Sequence, residues 1–180
     1  MLPFWISYII RTMSWINILG VSGAVNSILI WLGIIDEPLQ MLYNETTVIL
    51  GLVHFLLPFM ILNVFVSLDG IDETLEDAAN SLGATKWQGF LEVTLPLSLP
   101  GLAAGGLLCF VLGAGTYITP LVLGGPRDAM FANLVFEAII TQLNWPLGSA
   151  LSLMLLAVLG ALVLIYNRYL GMAQLMKGLG

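Results

Sequence analysis

The sequence predicts an all-α integral membrane protein, a polytopic helical bundle with about four membrane segments, the first of them partial, and a cytosolic helix pair between two spans. Hydrophobic residues make up 59% of the 180 residues and charged residues only 9%, whereas soluble domains average about 45–50% apolar and about 25% charged residues. Long apolar runs without charge alternate with polar stretches. Because a soluble chain of this length cannot cover so much apolar surface, a lipid bilayer is the expected solvent.

The N-terminal residues 1–11 are apolar but too short to span a bilayer, and Arg11 ends the run. We interpret them as the outgoing end of a helix whose beginning is missing. On this interpretation residues 1–180 form a single, partial transmembrane domain, either an N-terminally truncated fragment or the product of a misassigned start site.

The next segment, residues 12–45, begins with an uncharged stretch that carries many Ser, Asn and Gly residues. An unpaired polar group in lipid costs several kcal/mol. We therefore predict that residues 12–45 form an external, interfacial or partly re-entrant segment. A full span over residues 12–35 is the alternative.

Three later segments are long and apolar enough to cross a bilayer, and none of them contains Asp, Glu, Lys or Arg. A charge at the bilayer centre costs about 2.5–3.5 kcal/mol. His54 is a functional candidate because it is ionisable and lies within a span, but no ionisable partner accompanies it there, which favours a packing role. Pro58 is expected to kink the same span. The three spans are residues 46–68, 97–125 and 147–167.

The polar segment is defined as residues 69–96. If it faces the cytosol, its position sets the direction in which each span crosses the membrane. Residues 126–146 then form an external segment, and residues 168–180 form a cytosolic tail. Three basic residues lie inside and two outside, in weak agreement with the positive-inside rule. They are Lys86, Arg168 and Lys177 inside, and Arg11 and Arg127 outside.

The polar segment is predicted to form two short helices hinged at a glycine. Gly83 can take the left-handed conformation that ends the first helix. Thr85, with Gln88 three residues later, is a capping box for the second helix, and Pro96 is expected to end that helix. An ordinary solvated loop is the alternative. Apolar residues recur at helical spacing on one face of the first helix: Ile71, Leu75, Ala78, Ala79 and Leu82.

The polar segment resembles the EAA signature of the membrane subunits of binding-protein-dependent ABC importers. That signature is Glu-Ala-Ala, three residues, Gly, nine residues, Ile or Val, one residue, and Leu-Pro. Here Asp77-Ala78-Ala79 precedes Gly83, and Val93-Thr94-Leu95-Pro96 lies at the required spacing. Asp77 stands where the family usually has Glu, and Glu76 lies just before it.

The resemblance implies a fold of the ABC importer permease type, in which the polar segment is the coupling loop that docks on an ATPase. The implied partners are a cytosolic ABC ATPase dimer, a second homologous permease subunit in a heterodimer, a periplasmic or lipid-anchored solute-binding protein, and the lipid bilayer. The residues that the resemblance assigns to coupling are Glu76, Asp77, Ala78, Ala79, Gly83, Trp87 and Pro96.

Further blocks resemble the spermidine/putrescine branch of this family. The implied function is uptake of a polyamine across the bacterial cytoplasmic (inner) membrane. Relatives with similar blocks carry other small organic solutes or iron, so another solute is the alternative. The blocks are PFWISYIIRTMSW, GLVHFLLPFMILNVFVSLDGID, TYITPLVLGGPRDAMFANLVFEAI and LNWPLGSALS.

A stripe of small residues, Gly101, Gly105, Cys109 and Gly113, recurs every four positions along one face of a span. Such stripes let membrane helices approach closely. A subunit interface near the pore and packing within one subunit both fit this pattern.

The external segment carries Glu137, spaced from Asn133 and Phe136 on a predicted short helix. Carboxylates and aromatic faces suit a cationic solute. Contacts to a binding protein and plain solvation fit equally well. The acidic residues expected on the outside are Asp36, Glu37, Glu45, Asp128 and Glu137.

Catalytic motifs are missing from the sequence. It has no GxxxxGK[ST] phosphate loop, so ATP hydrolysis is expected on a partner subunit and the chain itself is not expected to be an enzyme. One His and one Cys give no metal-ligand spacing, and no cofactor is expected. Only five basic residues argue against a nucleic-acid partner. A secondary-transporter fragment would need paired ionisable residues within its spans and is less favoured.

Overall fold

The computed structural model describes residues 7–168, except for the side chains of Glu73, Glu76 and Asn80. Every regular element in that range is helical. The predicted positions of residues 1–6 and 169–180, including Lys177, lie outside the described residues. The α-helices are α1 (Tyr8–Leu19), α2 (Ala24–Trp31), α3 (Glu45–Asp69), α4 (Glu73–Ser81), α5 (Lys86–Gly89), α6 (Leu95–Ala114), α7 (Ile118–Leu123), α8 (Phe131–Phe136) and α9 (Trp145–Tyr166); Phe90–Thr94 and Glu137–Thr141 are π-helical turns.

Within residues 7–168, four helical segments are long and apolar enough to cross a membrane. The first combines α1 and α2, and the third combines α5, the first π-helical turn and α6. This confirms the predicted all-α membrane fold with about four membrane segments. The segments are Tyr8–Trp31, Glu45–Asp69, Lys86–Ala114 and Trp145–Tyr166.

The chain forms two compact units, and the boundaries between them fall within α3, α6 and α9. Within the described residues, the first unit comprises residues 7–56 and 112–158, and the second comprises residues 57–111 and 159–168.

In the first unit, α1 and α3 both pack against α7. The Tyr8 hydroxyl is hydrogen-bonded to the Thr119 hydroxyl and accepts from the Thr119 backbone N–H at 3.2 Å. The Thr47 hydroxyl of α3 donates to the Leu123 carbonyl at 3.0 Å. A Cβ at Gly51 would lie 2.7 Å from side-chain carbons of both Thr119 and Leu123, so only glycine allows this approach.

The first apolar segment is broken between α1 and α2, and two of its polar side chains, Asn26 and Ser27, are hydrogen-bonded within the chain. Asn26 is 1% exposed. Its amide donates to the carbonyls of Gly20 and Leu39 at 3.0 and 2.9 Å, and it accepts from the Leu39 N–H at 2.9 Å. The Ser27 hydroxyl donates to the Gly23 carbonyl at 2.9 Å. These bonds offset the cost of burying the polar groups. The external or interfacial placement of residues 12–45 stays a prediction.

In the second unit, α3 and α6 approach closely, and α9 is tied to α6. The Ser67 hydroxyl on α3 donates to the Ser98 carbonyl at 3.2 Å. The Tyr166 hydroxyl on α9 donates to the Pro100 carbonyl at 3.3 Å. In each bond the acceptor is a carbonyl in the N-terminal half of α6.

The predicted helix end at Pro96 is wrong, because the helix continues from Lys86 to Ala114. Proline lacks an N–H, and in a regular α-helix its ring would clash with the carbonyl four residues earlier. The chain enters Pro96 from the π-helical turn Phe90–Thr94, in which the Leu95 N–H donates to the Phe90 carbonyl five residues back. This wider turn changes the backbone just before the proline, so helical structure continues.

The far end of the span predicted over residues 97–125 is not one continuous helix. Helix α6 ends at Ala114, and the short α7 follows after a turn. The turn is closed by the Thr116 N–H, which donates to the Gly113 carbonyl at 3.0 Å, and by the Thr116 hydroxyl, which donates to the Leu112 carbonyl at 2.9 Å. Threonine hydroxyls compete in this way with the regular helix ladder.

Candidate functional site

The first helix of the polar segment, α4, begins at an acidic cap. Oδ1 of Asp72 accepts from the Thr74 backbone N–H at 2.9 Å and from the Thr74 hydroxyl at 2.8 Å. These two bonds, the backbone bond first, hold the pKa of Asp72 below its ordinary value. A carboxylate at this position also interacts favourably with the positive end of the helix dipole.

The same helix ends at Gly83, as the sequence predicts. Gly83 has φ of +88°, in the left-handed region. The Ala84 N–H donates to the Ala79 carbonyl at 3.1 Å, and the Leu82 N–H donates to the Ala78 carbonyl at 3.1 Å. The Ala84 N–H reaches a carbonyl five residues earlier in the chain, which is the bond of wider sequence separation in a Schellman motif. It satisfies a carbonyl at the helix end.

The second helix of the polar segment begins with the predicted capping box. The Gln88 N–H donates to the Thr85 hydroxyl at 3.4 Å, and the Thr85 N–H donates to Oε1 of Gln88 at 2.9 Å. The Trp87 ring stacks on Phe90 with ring centroids 5.7 Å apart. Helix α4 contacts both α5 and the following π-helical turn, so the polar segment is an ordered bent pair of helices.

The apolar face of this helix pair is not covered by the described part of the chain. Leu82, beside the hinge, is 89% exposed, and Trp87 is 68% exposed. Leu75 is also exposed. Exposed apolar side chains that cluster are a mark of an interaction site, and these three lie on an element whose helix ends are fixed by hydrogen bonds.

The residues predicted to take part in coupling all lie in this segment. Asp77 and Ala78 are exposed on α4, and Ala79 is half-buried. Gly83 forms the hinge, and Pro96 is exposed in the first turn of α6. Glu76 lies in α4, and its side chain is outside the described part. Their role in coupling stays a prediction.

The small-residue stripe of α6 lies against α3. A Cβ at Gly101 would overlap the Ser67 side chain, and one at Gly105 would lie 2.8 Å from Cβ of Asn63. In the first unit, a Cβ at Gly113 would lie 3.4 Å from Leu56. Gly101 and Gly105 of the second unit thus lie where a side chain would meet α3 of the same chain, and the packing role of the stripe stays a prediction.

His54 lies in a polar contact that sequence reasoning did not identify. Nε1 of Trp15 donates to Nδ1 of His54 at 3.3 Å, with the rings edge-on and 5.6 Å apart. The indole N–H of tryptophan can only donate, so Nδ1 of His54 is the acceptor in this contact. Nearby, Nε and Nη1 of Arg11 are buried and have no hydrogen-bond acceptor among the described residues. Within residues 7–168, no three His, Cys, Asp or Glu side chains converge as a metal site.

A second candidate site is a cavity formed between the α7 end and the helix Phe131–Thr141, named the outer cavity after the predicted external position of residues 126–146. The structure brings Asn133, Phe136 and Glu137 together on one wall of this cavity, whose volume is about 480 Å³. Thr141 lines the same wall. Sequence reasoning missed Thr141 and also Tyr117, whose ring stacks on Phe136 with centroids 4.8 Å apart.

Comparison with known proteins finds relatives that are similar in sequence and solved structures that are similar in fold. The chain is 36% identical over 166 residues to the spermidine/putrescine transport system permease protein PotB of Escherichia coli K12, covering 92% of this chain and 60% of that protein. It is 39% identical over 167 residues to PotB of Haemophilus influenzae, covering 93% of this chain and 58% of that protein. The chain thus spans less than two thirds of these relatives.

The fold resembles a crystal structure of a bacterial ABC transporter involved in the import of the acidic polysaccharide alginate. The TM-score is 0.75 and the identity 20%, over 93% of this chain and 61% of that chain. The family model for the binding-protein-dependent transport system inner membrane component matches residues 2–173. With its membrane-length helices, the protein is a multi-pass protein of the bacterial inner membrane. The chain belongs to the family of binding-protein-dependent transport system inner membrane components.

Proposed function

We propose that the chain is the permease subunit of an ATP-driven importer and that its polar segment couples it to a separate ATPase. The observation that carries this proposal is the exposed apolar side of the hinged helix pair. Leu82 is 89% exposed beside a hinge that hydrogen bonds hold in one conformation. An apolar residue on a rigid element is suited to a groove in a partner, because little conformational entropy is lost on docking.

The proposed partners follow from the family and from the chemistry that the chain lacks. The sequence has no phosphate loop, so the chain itself is not proposed to be an enzyme, and ATP hydrolysis belongs to a cytosolic ATPase dimer. The family description names dependence on a binding protein, which would deliver the solute on the outer side. A second homologous permease would complete the pore.

The proposed solute is a polyamine such as spermidine or putrescine. The support is the identity of 36–39% to PotB proteins over more than nine tenths of this chain. Placement of the polar segment in the cytosol, between an inward and an outward span, is part of the same proposal. Transport of a different small solute by the same coupling mechanism would change only the solute.

The test of coupling is to replace the exposed leucine and to measure two activities of the complete transporter. In proteoliposomes, Leu82→Ser and Gly83→Trp are expected to lower ATP-dependent spermidine uptake by about tenfold or more, the effect of losing a central contact of about 2 kcal/mol. The ATPase is expected to co-purify less well or to hydrolyse ATP without transport. Ile34→Ser is the matched control, because Ile34 is also exposed but lies in the loop after α2.

Three outcomes would contradict the proposal. Leu82→Ser could support uptake at the rate of the unmodified protein with the ATPase bound. Alternatively, Lys86, which lies within the polar segment, could react with an impermeant amine reagent only from outside the cell. Uptake without any ATPase subunit would also exclude it.

A further inference from the structure

We propose that the outer cavity is a binding site for a primary ammonium group of the transported solute, with Glu137 as its counter-ion. This inference deepens the proposed function and rests on its solute class. The cavity volume of about 480 Å³ lies within the range of about 300–1,000 Å³ that is common for small-molecule sites. A linear amine could enter it end-on.

Glu137 is the acidic residue that lines this cavity, and its carboxylate has free capacity. Its hydrogen bond within the described residues comes from Nε2 of Gln142 at 3.3 Å, to Oε1. An ionised carboxylate offers about four acceptor positions. The side chain is exposed, so it can receive an ammonium donor without breaking an internal ion pair.

Glu137 is the charged residue among those that line the cavity in the described part of the chain, and polar groups beside it hold the cavity walls in place. Oδ2 of Asp128 accepts from the Gly125 N–H at 2.7 Å and closes the turn after α7. The Asn133 amide donates to the Tyr117 carbonyl at 2.9 Å and accepts from the Met130 N–H at 3.0 Å. These bonds shape the cavity walls and fix α8.

The π-helical turn sets the position of Glu137 relative to the other lining residues. The Gln142 N–H donates to the Glu137 carbonyl, five residues back, at 2.9 Å. Such turns are frequent at functional sites. Here Phe136, Glu137 and Thr141 all line the cavity, so a carboxylate, a hydroxyl and an aromatic ring lie on one wall.

Phe136 supplies the second attraction for a cation. Its ring is nearly parallel to Tyr117, with an interplanar angle of 15°, and this stack restricts its orientation. A cation near an aromatic ring is attracted by the ring quadrupole. The combination of one carboxylate and one fixed ring suits an alkylammonium better than an anion.

The first experiment measures spermidine uptake by cells that express the complete transporter. Glu137→Gln removes the charge with little change in shape, and it is expected to raise KM about tenfold, as for the loss of one hydrogen bond between charged groups. Glu137→Asp is expected to restore part of the affinity. Glu37→Gln is the control, because Glu37 is an exposed carboxylate outside the cavity, and its KM is expected to stay unchanged.

The second experiment measures ligand binding in the cavity and does not depend on transport. Thr141→Cys is introduced, and the chain with its native Cys109 alone serves as the blank. An impermeant maleimide added to intact cells is expected to modify the cysteine at position 141. Spermidine is expected to slow this reaction, whereas an uncharged aliphatic diol of similar length is not. Adding Glu137→Gln is expected to abolish the protection.

The outcomes separate this inference from the proposed function. If the unmodified transporter imports spermidine and Glu137→Gln has the same KM, the ammonium site is excluded while the importer stands. If spermidine does not protect position 141, the site is excluded whether or not uptake occurs. If spermidine protects position 141 but no ATP-dependent uptake is found, the site stands and the importer function fails.

Discussion

The polar segment and the contact between α3 and α6 lie in the same compact unit but are stabilised by opposite means. The polar segment is held by local hydrogen bonds at helix ends, such as the Thr85–Gln88 capping box, and it leaves Leu82 exposed. The α3–α6 contact depends on missing side chains at Gly101 and Gly105. The difference indicates that surface residues of the polar segment can change with little loss of stability, whereas Gly101 and Gly105 of α6 cannot.

The largest effect is expected for Gly101→Ala. Its Cβ would overlap the Ser67 side chain on α3, so α3 and α6 must separate, at a cost of about 1–3 kcal/mol. The free energy of unfolding, measured in mixed micelles, is expected to fall by that amount.

Gly106→Ala is the matched control for this prediction. Gly106 lies on the same helix, and a Cβ there meets nothing within 4 Å. Alanine in a helix interior is favoured over glycine by about 0.5–1 kcal/mol, so this variant is expected to be as stable as the unmodified chain or slightly more stable. Equal losses in both variants would mean that close packing does not distinguish the two positions.

The next effect is expected at the hinge, where Gly83 has positive φ and no neighbour to crowd a side chain. Gly83→Ala is expected to destabilise the end of α4 by about 1–2 kcal/mol, the cost of the left-handed conformation for a residue with a Cβ. Amide hydrogen exchange in α4 is expected to speed up accordingly. Gly83→Asn is expected to cost less, because Asn tolerates this conformation better.

Gly33 tests whether the hinge effect is local. It also has positive φ, +68°, with open space around it, so Gly33→Ala is expected to cost a similar free energy. Exchange in α4 is expected to stay unchanged in that variant. Faster exchange in α4 after Gly33→Ala would show that the polar segment is not held by its own bonds.

A smaller effect is expected from the capping box. Thr85→Ala removes the hydroxyl that accepts from the Gln88 N–H, and loss of such a cap costs about 1 kcal/mol. The Gln88 amide is expected to exchange faster, while amides of α6 beyond Pro96 keep their rates. Thr85→Ser retains a hydroxyl and is expected to restore protection. If it does not, another contact holds this helix start.

The contrast between local hydrogen bonds and packing between distant helices also explains which features the sequence could predict. The Gly83 helix end and the Thr85–Gln88 cap were predictable because the bonds join residues a few positions apart. Continuation of the helix through Pro96 was not, because it depends on the π-helical turn just before it, and that turn has no simple sequence signal. The four-residue spacing of the stripe indicated close packing, but not that its partners would be Ser67 and Asn63 of the same chain.

The outer cavity, the second candidate site, also could be predicted only in part from the sequence. The sequence placed Asn133, Phe136 and Glu137 on one short helix, which the local spacing allowed. The opposite wall comes from residues such as Pro120 and Gly124, and the Asn133 amide reaches the Tyr117 carbonyl sixteen positions away. Contacts over that separation have no local signal, so the cavity became visible only in the fold.

The smallest effect is expected at Asp72, and it tests directly whether local hydrogen bonds stabilise the polar segment. The Thr74 backbone N–H and the Thr74 hydroxyl lower the pKa of Asp72 below its ordinary value of 3.8. The pKa of Asp72 is lower in the folded chain than in the unfolded chain. The ionised carboxylate therefore stabilises α4 fully above the unfolded pKa, and this stabilisation is lost as pH falls through the folded pKa. A carbon-13 titration of the Asp72 carboxyl group is expected to give a midpoint below 3.8. Thr74→Val removes only the hydroxyl, the lesser of the two bonds, so the midpoint is expected to rise partway. A full return to the ordinary value would mean that the backbone bond does not hold the carboxylate.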